Sequence, residues 1–166
     1  MALSKIQSSS LATGVGGKVL QVVQATSTTT LATTSTSFVD TSLSGTITPS
    51  SASSKIYVIA NQATQSLNSG GAYGTGRWKI VKTIGGSTTD VTVCTSTANG
   101  NVFAFDYGGS GINISAMASL TALVSPSTTS AITFKTQIAL GTNGGNNVAV
   151  NDGITNGVLI MMEIAG

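Results

Sequence analysis

The chain has 166 residues, enough for one domain with a real core, and only 7% of them are charged, with a net charge of +2. Seven basic residues spread along the whole length are too dilute for a nucleic-acid footprint, which needs clustered Lys and Arg to displace counterions. The composition is 40% hydrophobic, with the apolar residues in runs of strand length, which excludes the charge-rich, apolar-poor signature of a disordered chain.

Ser and Thr are abundant, and Thr and Val suit pleated surfaces while Gly and Asn suit the turns between them, so an all-β domain is expected. A β-protein with so little charge has little electrostatic protection against edge pairing. Its edges must close on themselves, or partner subunits must cover much of its surface. No run of eighteen apolar residues predicts a membrane span, and the N-terminus lacks the apolar stretch of a secretory signal.

Residues 1–17 read as an extended N-terminal arm, separate from a domain over 18–166. Leu3, Ile6 and Leu11 are its only large apolar side chains, the residues by which it would dock, and Gly14-Val15-Gly16-Gly17 is a joint. Lys18–Gln24 is the first predicted strand, followed by a Thr/Ser run over 25–36 in which only Leu31 is large and apolar. Phe38 and Val39 begin a short strand, and Asp40-Thr41-Ser42 is expected to turn into the next.

Residues 43–60 predict strand, corner, strand. Leu43, Gly45 and Ile47 alternate with polar partners, and Pro49 ends the ladder because it has no N–H to donate. Ser50–Ser54 make a polar crossing, and Ile56–Ala60 is apolar on both faces, so it must be covered on both. Residues 61–76, rich in Asn, Gln, Ser and Gly, predict a long exposed loop. Arg77–Ile84 alternates with Trp78 and Ile80 on one side, Gly85-Gly86 is a hairpin turn, and Asp90–Thr95 is the return strand.

Val102–Phe105 is short and apolar. Ile112–Val124 fits helical or strand spacing, and the β-rich setting favours strand. Ser125-Pro126-Ser127 repeats the Thr48-Pro49-Ser50 corner. Ala131–Leu140 is a long strand, Val148–Val150 a short one, and Val158–Ile164 the last. Its apolar character on both faces matches 56–60, so these two segments are expected to pair or to lie in facing sheets. Eight to ten short strands without helical crossovers predict an antiparallel jelly-roll sandwich, with an immunoglobulin-like sandwich as the competitor.

No catalytic set is legible. There is no histidine, and Cys94 is the only cysteine, so a zinc site, an activated thiol and an intrachain disulfide all lack their residues. Of the five carboxylates, Asp40, Asp90, Asp106 and Asp152 are read as capping turns. Glu163 ends a buried strand and is expected to pair with Lys135, Arg77 or a neighbouring subunit. The Gly pairs lack any phosphate-binding setting, so no cofactor is predicted. Tyr73, Trp78 and Tyr107 are the candidate aromatic platform for a sugar, although Trp78 lies in an alternating strand and reads first as a core or interface residue.

Gly17–Gln24, Ser37–Thr41 and Leu43–Ile56 together resemble a family of virion structural proteins of tailed phages, notably phages of marine bacteria and cyanobacteria. Ser125-Pro126-Ser127, Thr133-Phe134-Lys135 and Ile160–Ile164 are similar to the same family; residues 61–110 are less recognisable, and nothing transfers to them residue by residue. The resemblance implies a jelly-roll module of the tumour-necrosis-factor/complement type, usually a homotrimer, serving as a capsid decoration (cement) protein or a tail-fibre tip. It implies a location on the virion, the major capsid protein or another virion protein as partner, and no enzymatic activity. Two functions are expected on this basis. One is a non-enzymatic cement protein whose arm (Leu3, Ile6, Leu11) holds it to the shell, with apolar strand faces buried between subunits. The alternative is a tail-fibre or receptor-binding module reading host surface glycans through loops 66–76 and 106–111.

Overall fold

The computed structural model describes residues 18–68, 74–93, 103–105, 112–141, 147–151 and 156–166. These contain eleven strands: β1 (Val19–Ser27), β2 (Leu31–Thr33), β3 (Val39–Ile47), β4 (Lys55–Asn68), β5 (Gly74–Ile84), β6 (Ser87–Val93), β7 (Phe103–Phe105), β8 (Ile112–Val124), β9 (Ile132–Leu140), β10 (Asn147–Val150) and β11 (Gly157–Ile164). Every pairing among them is antiparallel.

The strands form two sheets. In the first, β4 is central: β8 pairs along one side over its whole length, while β11 and β10 lie end to end along the other, with β1 and β2 beyond them. In the second, β9 lies between β3 and β5, and β6 and β7 share the far side of β5. Each sheet therefore has four positions. Numbering those eight positions along the chain gives the orders 1-8-3-6 and 2-7-4-5. The pairs 1-8, 2-7, 3-6 and 4-5 are the nested rungs of one long hairpin, and rolling it up adds the contacts 8-3 and 7-4. This is the jelly-roll arrangement, which folds double and so limits exposed edges. All-β architecture, a two-sheet sandwich and a strand at 112–124 are as the sequence indicates.

The tip of the hairpin is Gly85-Gly86, between β5 and β6. Both residues have positive φ, 56° and 84°, the signature of a type I′ turn whose twist matches that of the strands it joins. The two Pro-Ser corners do the same job side by side. Residues 48–54 carry the outgoing strand from the second sheet to the first, and 125–131 bring the returning strand back. Ile47 accordingly lies opposite Ile132, and Ile56 opposite Val124. Ser127 turns with φ 52°.

The core lies between the sheets. Leu43 and Ile47 from β3, Ile56 and Val58 from β4, Trp78 and Ile80 from β5, Phe134 and Ile138 from β9, and Leu159 and Met161 from β11 are all hidden from water. Gly45 lies where β3 passes close to the first sheet: a Cβ there would stand 2.6 Å from Met161 Cε, the movable end of that side chain, and 3.0 Å from Ala25 Cβ. The segments 56–60 and 158–164 pair directly, Met161 opposite Val58 and Ile160 opposite Ile59.

Several expectations are corrected. Residues 61–68 are not loop; β4 continues to Asn68 and stays paired with β8 to its end. Its polar side chains are accommodated inside, because Thr136 Oγ1 donates to Gln62 Oε1 and Thr64 Oγ1 donates to the Ala116 carbonyl. The expected turn at Asp40-Thr41-Ser42 is a bulge within the continuous strand β3. The first strand extends to Ser27, because it follows β11 to Gly157. Asp40 and Asp90 sit within strands, not at turns.

Candidate functional site

The two outer faces of the sandwich differ in chemistry, and register shows how. Residues directly opposite in antiparallel strands point to the same face. On the second sheet one outer row runs Asp40, Gln137, Lys79, and another runs Ser44, Lys135, Val81, Asp90. These side chains satisfy one another. Lys135 Nζ lies 2.5 Å from Asp40 Oδ2, Gln137 Nε2 donates to Asp40 Oδ1 at 2.7 Å, and Lys79 Nζ lies 2.7 Å from Asp90 Oδ1. The hydrogen bonds from Lys135 and Gln137 hold the Asp40 carboxyl below the usual carboxylate range. Lys79 and Arg77 also cap the Phe38 ring, at 4.3 and 5.1 Å from its centroid. The face is polar and internally paired, with Val81 and Ala139 buried within it.

The first sheet is the opposite. One outer row crosses all four positions as Val22, Met162, Tyr57, Leu123, and the next as Gln24, Ile160, Ile59, Thr121. Val22 is 60% exposed, and Leu123 and Met117, both on this face, are 57% exposed. Lys55, at the start of β4, is the only charged side chain on this outer face among the described residues. Apolar side chains gathered in this way are uncommon on the surface of a free monomer.

Glu163 supplies the most unusual buried group. It points inward from β11 and is almost completely hidden from water. No cation among the described residues meets it, and the expected pairing with Lys135 or Arg77 is not formed; Lys135 binds Asp40, and Arg77 Nε donates to the Leu140 carbonyl. Three neutral donors serve it instead: the Ser50 backbone N–H and Oγ–H at 2.7 Å each on Oε1, and Gln21 Nε2 at 2.6 Å on Oε2. Burial alone would raise its pKa, but the hydrogen bonds from Ser50 and Gln21 outweigh burial and take it from an ordinary 4.5 down to about 2. Gln21 Nε2 also reaches the Thr48 carbonyl at 2.7 Å, so one carboxylate ties β1, β11 and the Pro49 corner together.

A second polar chain crosses the core. Thr41 Oγ1 and Thr136 Oγ1 are 2.5 Å apart, and Thr136 bonds Gln62. Asn151, with φ 54°, donates through Nδ2 to the carbonyls of Ser27 and Thr29 and so fastens the end of β10 to the β1–β2 connection.

The sequence-derived site residues fare unevenly. Trp78 is 1% exposed and packs in the core, so its ring offers no stacking surface to a sugar; the core alternative is the one its burial supports. Tyr73 and Tyr107 lie outside the described residues, as do Leu3, Ile6, Leu11, Cys94, Asp106 and Asp152. Among the described residues no three His, Cys, Asp or Glu side chains come together as metal ligands would. The outer face of the first sheet was foreshadowed by the double-sided apolar runs at 56–60 and 158–162. The Glu163 clasp had no such signal, because its donors, Gln21 and Ser50, are 142 and 113 residues away. No protein-family model matches this chain, and no curated protein sequence matches it.

Proposed function

We propose that this chain is a non-enzymatic structural subunit of a phage virion, a capsid decoration (cement) protein that assembles as a homotrimer through the outer face of its first sheet. The observation that carries the assembly is the contrast between the two outer faces. One is laced with ion pairs; the other presents Val22, Leu123 and Met117 to water around half-buried Tyr57, Ile59, Ile160 and Met162. An apolar face whose single described charge, Lys55, lies at the start of β4 is the composition of a permanent subunit contact. The resemblance of residues 17–56 and 125–164 to virion structural proteins supports the virion setting and the threefold stoichiometry. The low charge of the whole chain suits a building block that is rarely free in solution.

The test has two arms. Val22→Lys combined with Leu123→Lys, both on exposed side chains, is expected to turn a trimer of the purified chain into a folded monomer in native mass spectrometry. An unchanged mass rules this face out as the contact. Deleting residues 2–16 is expected to abolish binding to the phage shell while trimers persist; undiminished binding rules out the arm as the attachment.

A further inference from the structure

β10 and β11 lie end to end beside β4, and the ladder passes from one to the other around Gln62: Val158 is opposite Asn61, and Val150 is opposite Thr64. Asn151 and Gly157 flank that junction. The Asn151 backbone N–H reaches the Ala63 carbonyl at 3.0 Å, and Gly157 is buried. Gln62 is 0% exposed and Asn151 1%. Among the described residues, neither Gln62 Nε2 nor Asn151 Oδ1 has a hydrogen-bond partner. Buried amide groups are rarely left in that condition. The two atoms are complementary, one a donor and the other an acceptor. They also converge. A Cβ on Gly157 would stand 3.2 Å from Asn151 Oδ1 and 3.3 Å from Gln62 Nε2, with Leu43 Cδ2 at 3.3 Å closing the remaining side.

We propose that one water molecule is built into the core beside Gly157, accepting a hydrogen bond from Gln62 Nε2 and donating one to Asn151 Oδ1. The surrounding bonds fix both amides in the sense this requires. Asn151 faces the carbonyls of Ser27 and Thr29, which only its Nδ2 can serve, so Oδ1 is the end turned to Gly157. The Thr136 hydroxyl could meet either end of the Gln62 amide, and an acceptor at Asn151 selects Nε2 for the Gly157 side. Water supplies the donor and the acceptor together. A cation would oppose the Gln62 N–H, and an anion would oppose the Asn151 oxygen. Two polar partners suffice for an internal water, which typically makes about two to four hydrogen bonds. The water would join two separate polar chains into one. Thr41, Thr136 and Gln62 run from β3 and β9 to β4, and Asn151 continues to the β1–β2 connection. Glycine at 157 is what leaves room for it. The site lies wholly inside one subunit and does not depend on the assembly proposed above.

The test is a crystal structure of the full chain at a resolution that orders water, for the wild type and for Gly157→Ala, with far-ultraviolet circular dichroism to verify folding. The wild type is expected to show one ordered water within hydrogen-bond distance of Gln62 Nε2 and Asn151 Oδ1 in every copy. Gly157→Ala sets a methyl against both polar atoms and is expected to lose that water and to melt at a lower temperature. A wild type in which the two amides bond each other directly, or in which another group of the chain or nothing lies between them, overturns the proposal. So does a folded Gly157→Ala that keeps the water on both atoms. If Gly157→Ala does not fold, Gln62→Met keeps the side-chain length and removes the donor. It is expected to lose the water, and a water kept in the same place overturns its assignment to this pair.

Discussion

Glu163 is a buried anion held by neutral donors, and that has a pH consequence. Its folded pKa of about 2 lies below the ordinary 4.5, so its contribution to stability is fully present above 4.5 and is lost as pH falls toward 2. Replacing it by Gln keeps the size but sets an amide against the Ser50 and Gln21 donors. Glu163→Gln should cost about 1.5–3 kcal/mol at neutral pH, the range for hydrogen bonds to a charged group. The gap between wild type and variant in urea unfolding should narrow between pH 4.5 and 2; a gap that is constant with pH would contradict the charged clasp. Asp40, also held low by Lys135 and Gln137, contributes a slope of the same sign, so the variant's own profile is not flat. Trp78 makes a different residue-scale prediction. Its indole is enclosed by the core, so Trp78→Ala should cost about 3–5 kcal/mol through cavity formation. A near-neutral result in the same assay would mean that the ring is not packed as described.

Among the elements, the β5–β6 hairpin is the one whose local chemistry most fully specifies its geometry. Gly86 adopts φ 84° with nothing within 4 Å of an added Cβ. Any cost of a side chain there is therefore backbone strain alone, and Gly86→Ala should destabilise by about 1–2 kcal/mol. Gly45 tests packing in place of backbone. A Cβ there meets Met161 Cε and Ala25 Cβ, so Gly45→Val should push β3 away from the first sheet and cost at least as much as Gly86→Ala in parallel denaturation curves. If Gly45→Val proves the milder of the two, the close approach of β3 to β11 is wrong.

Over the whole molecule, the nested hairpin and the unequal outer faces share one cause. Rolling the hairpin places β1, β11, β4 and β8 side by side, and each contributes apolar residues to the side facing away from the core. A folded monomer made by Val22→Lys and Leu123→Lys should still expose Tyr57, Ile59 and Ile160. It should accordingly bind a hydrophobic dye more strongly than the wild-type assembly does. Equal dye binding by both forms would mean that the face is never covered.

Much of the architecture was legible before the fold. The period of two in 43–47 and 77–84, the Gly85-Gly86 turn, the two Pro-Ser corners and the double-sided runs at 56–60 and 158–162 are local patterns, set by pleat geometry and backbone chemistry within a few residues. They determined an all-β chain and most of its strands, and they marked 56–60 and 158–162 as apolar on both faces, of which the described residues bury one and leave the other half-buried. Other features were decided only by tertiary structure, because their physical basis lies far away in the chain. Gln62 and Thr64 read as loop until Thr136 and the Ala116 carbonyl, brought across by β9 and β8, bond the Gln62 amide oxygen and the Thr64 hydroxyl. Glu163 reads as half of an ion pair until Ser50 and Gln21 arrive to replace the cation. Trp78 is an alternating aromatic in the sequence, and only the closing of one sheet over the other assigns it to the core. Likewise, alternation reveals that a strand has two faces, but only the packing of the sheets determines which face is core and which is turned outward.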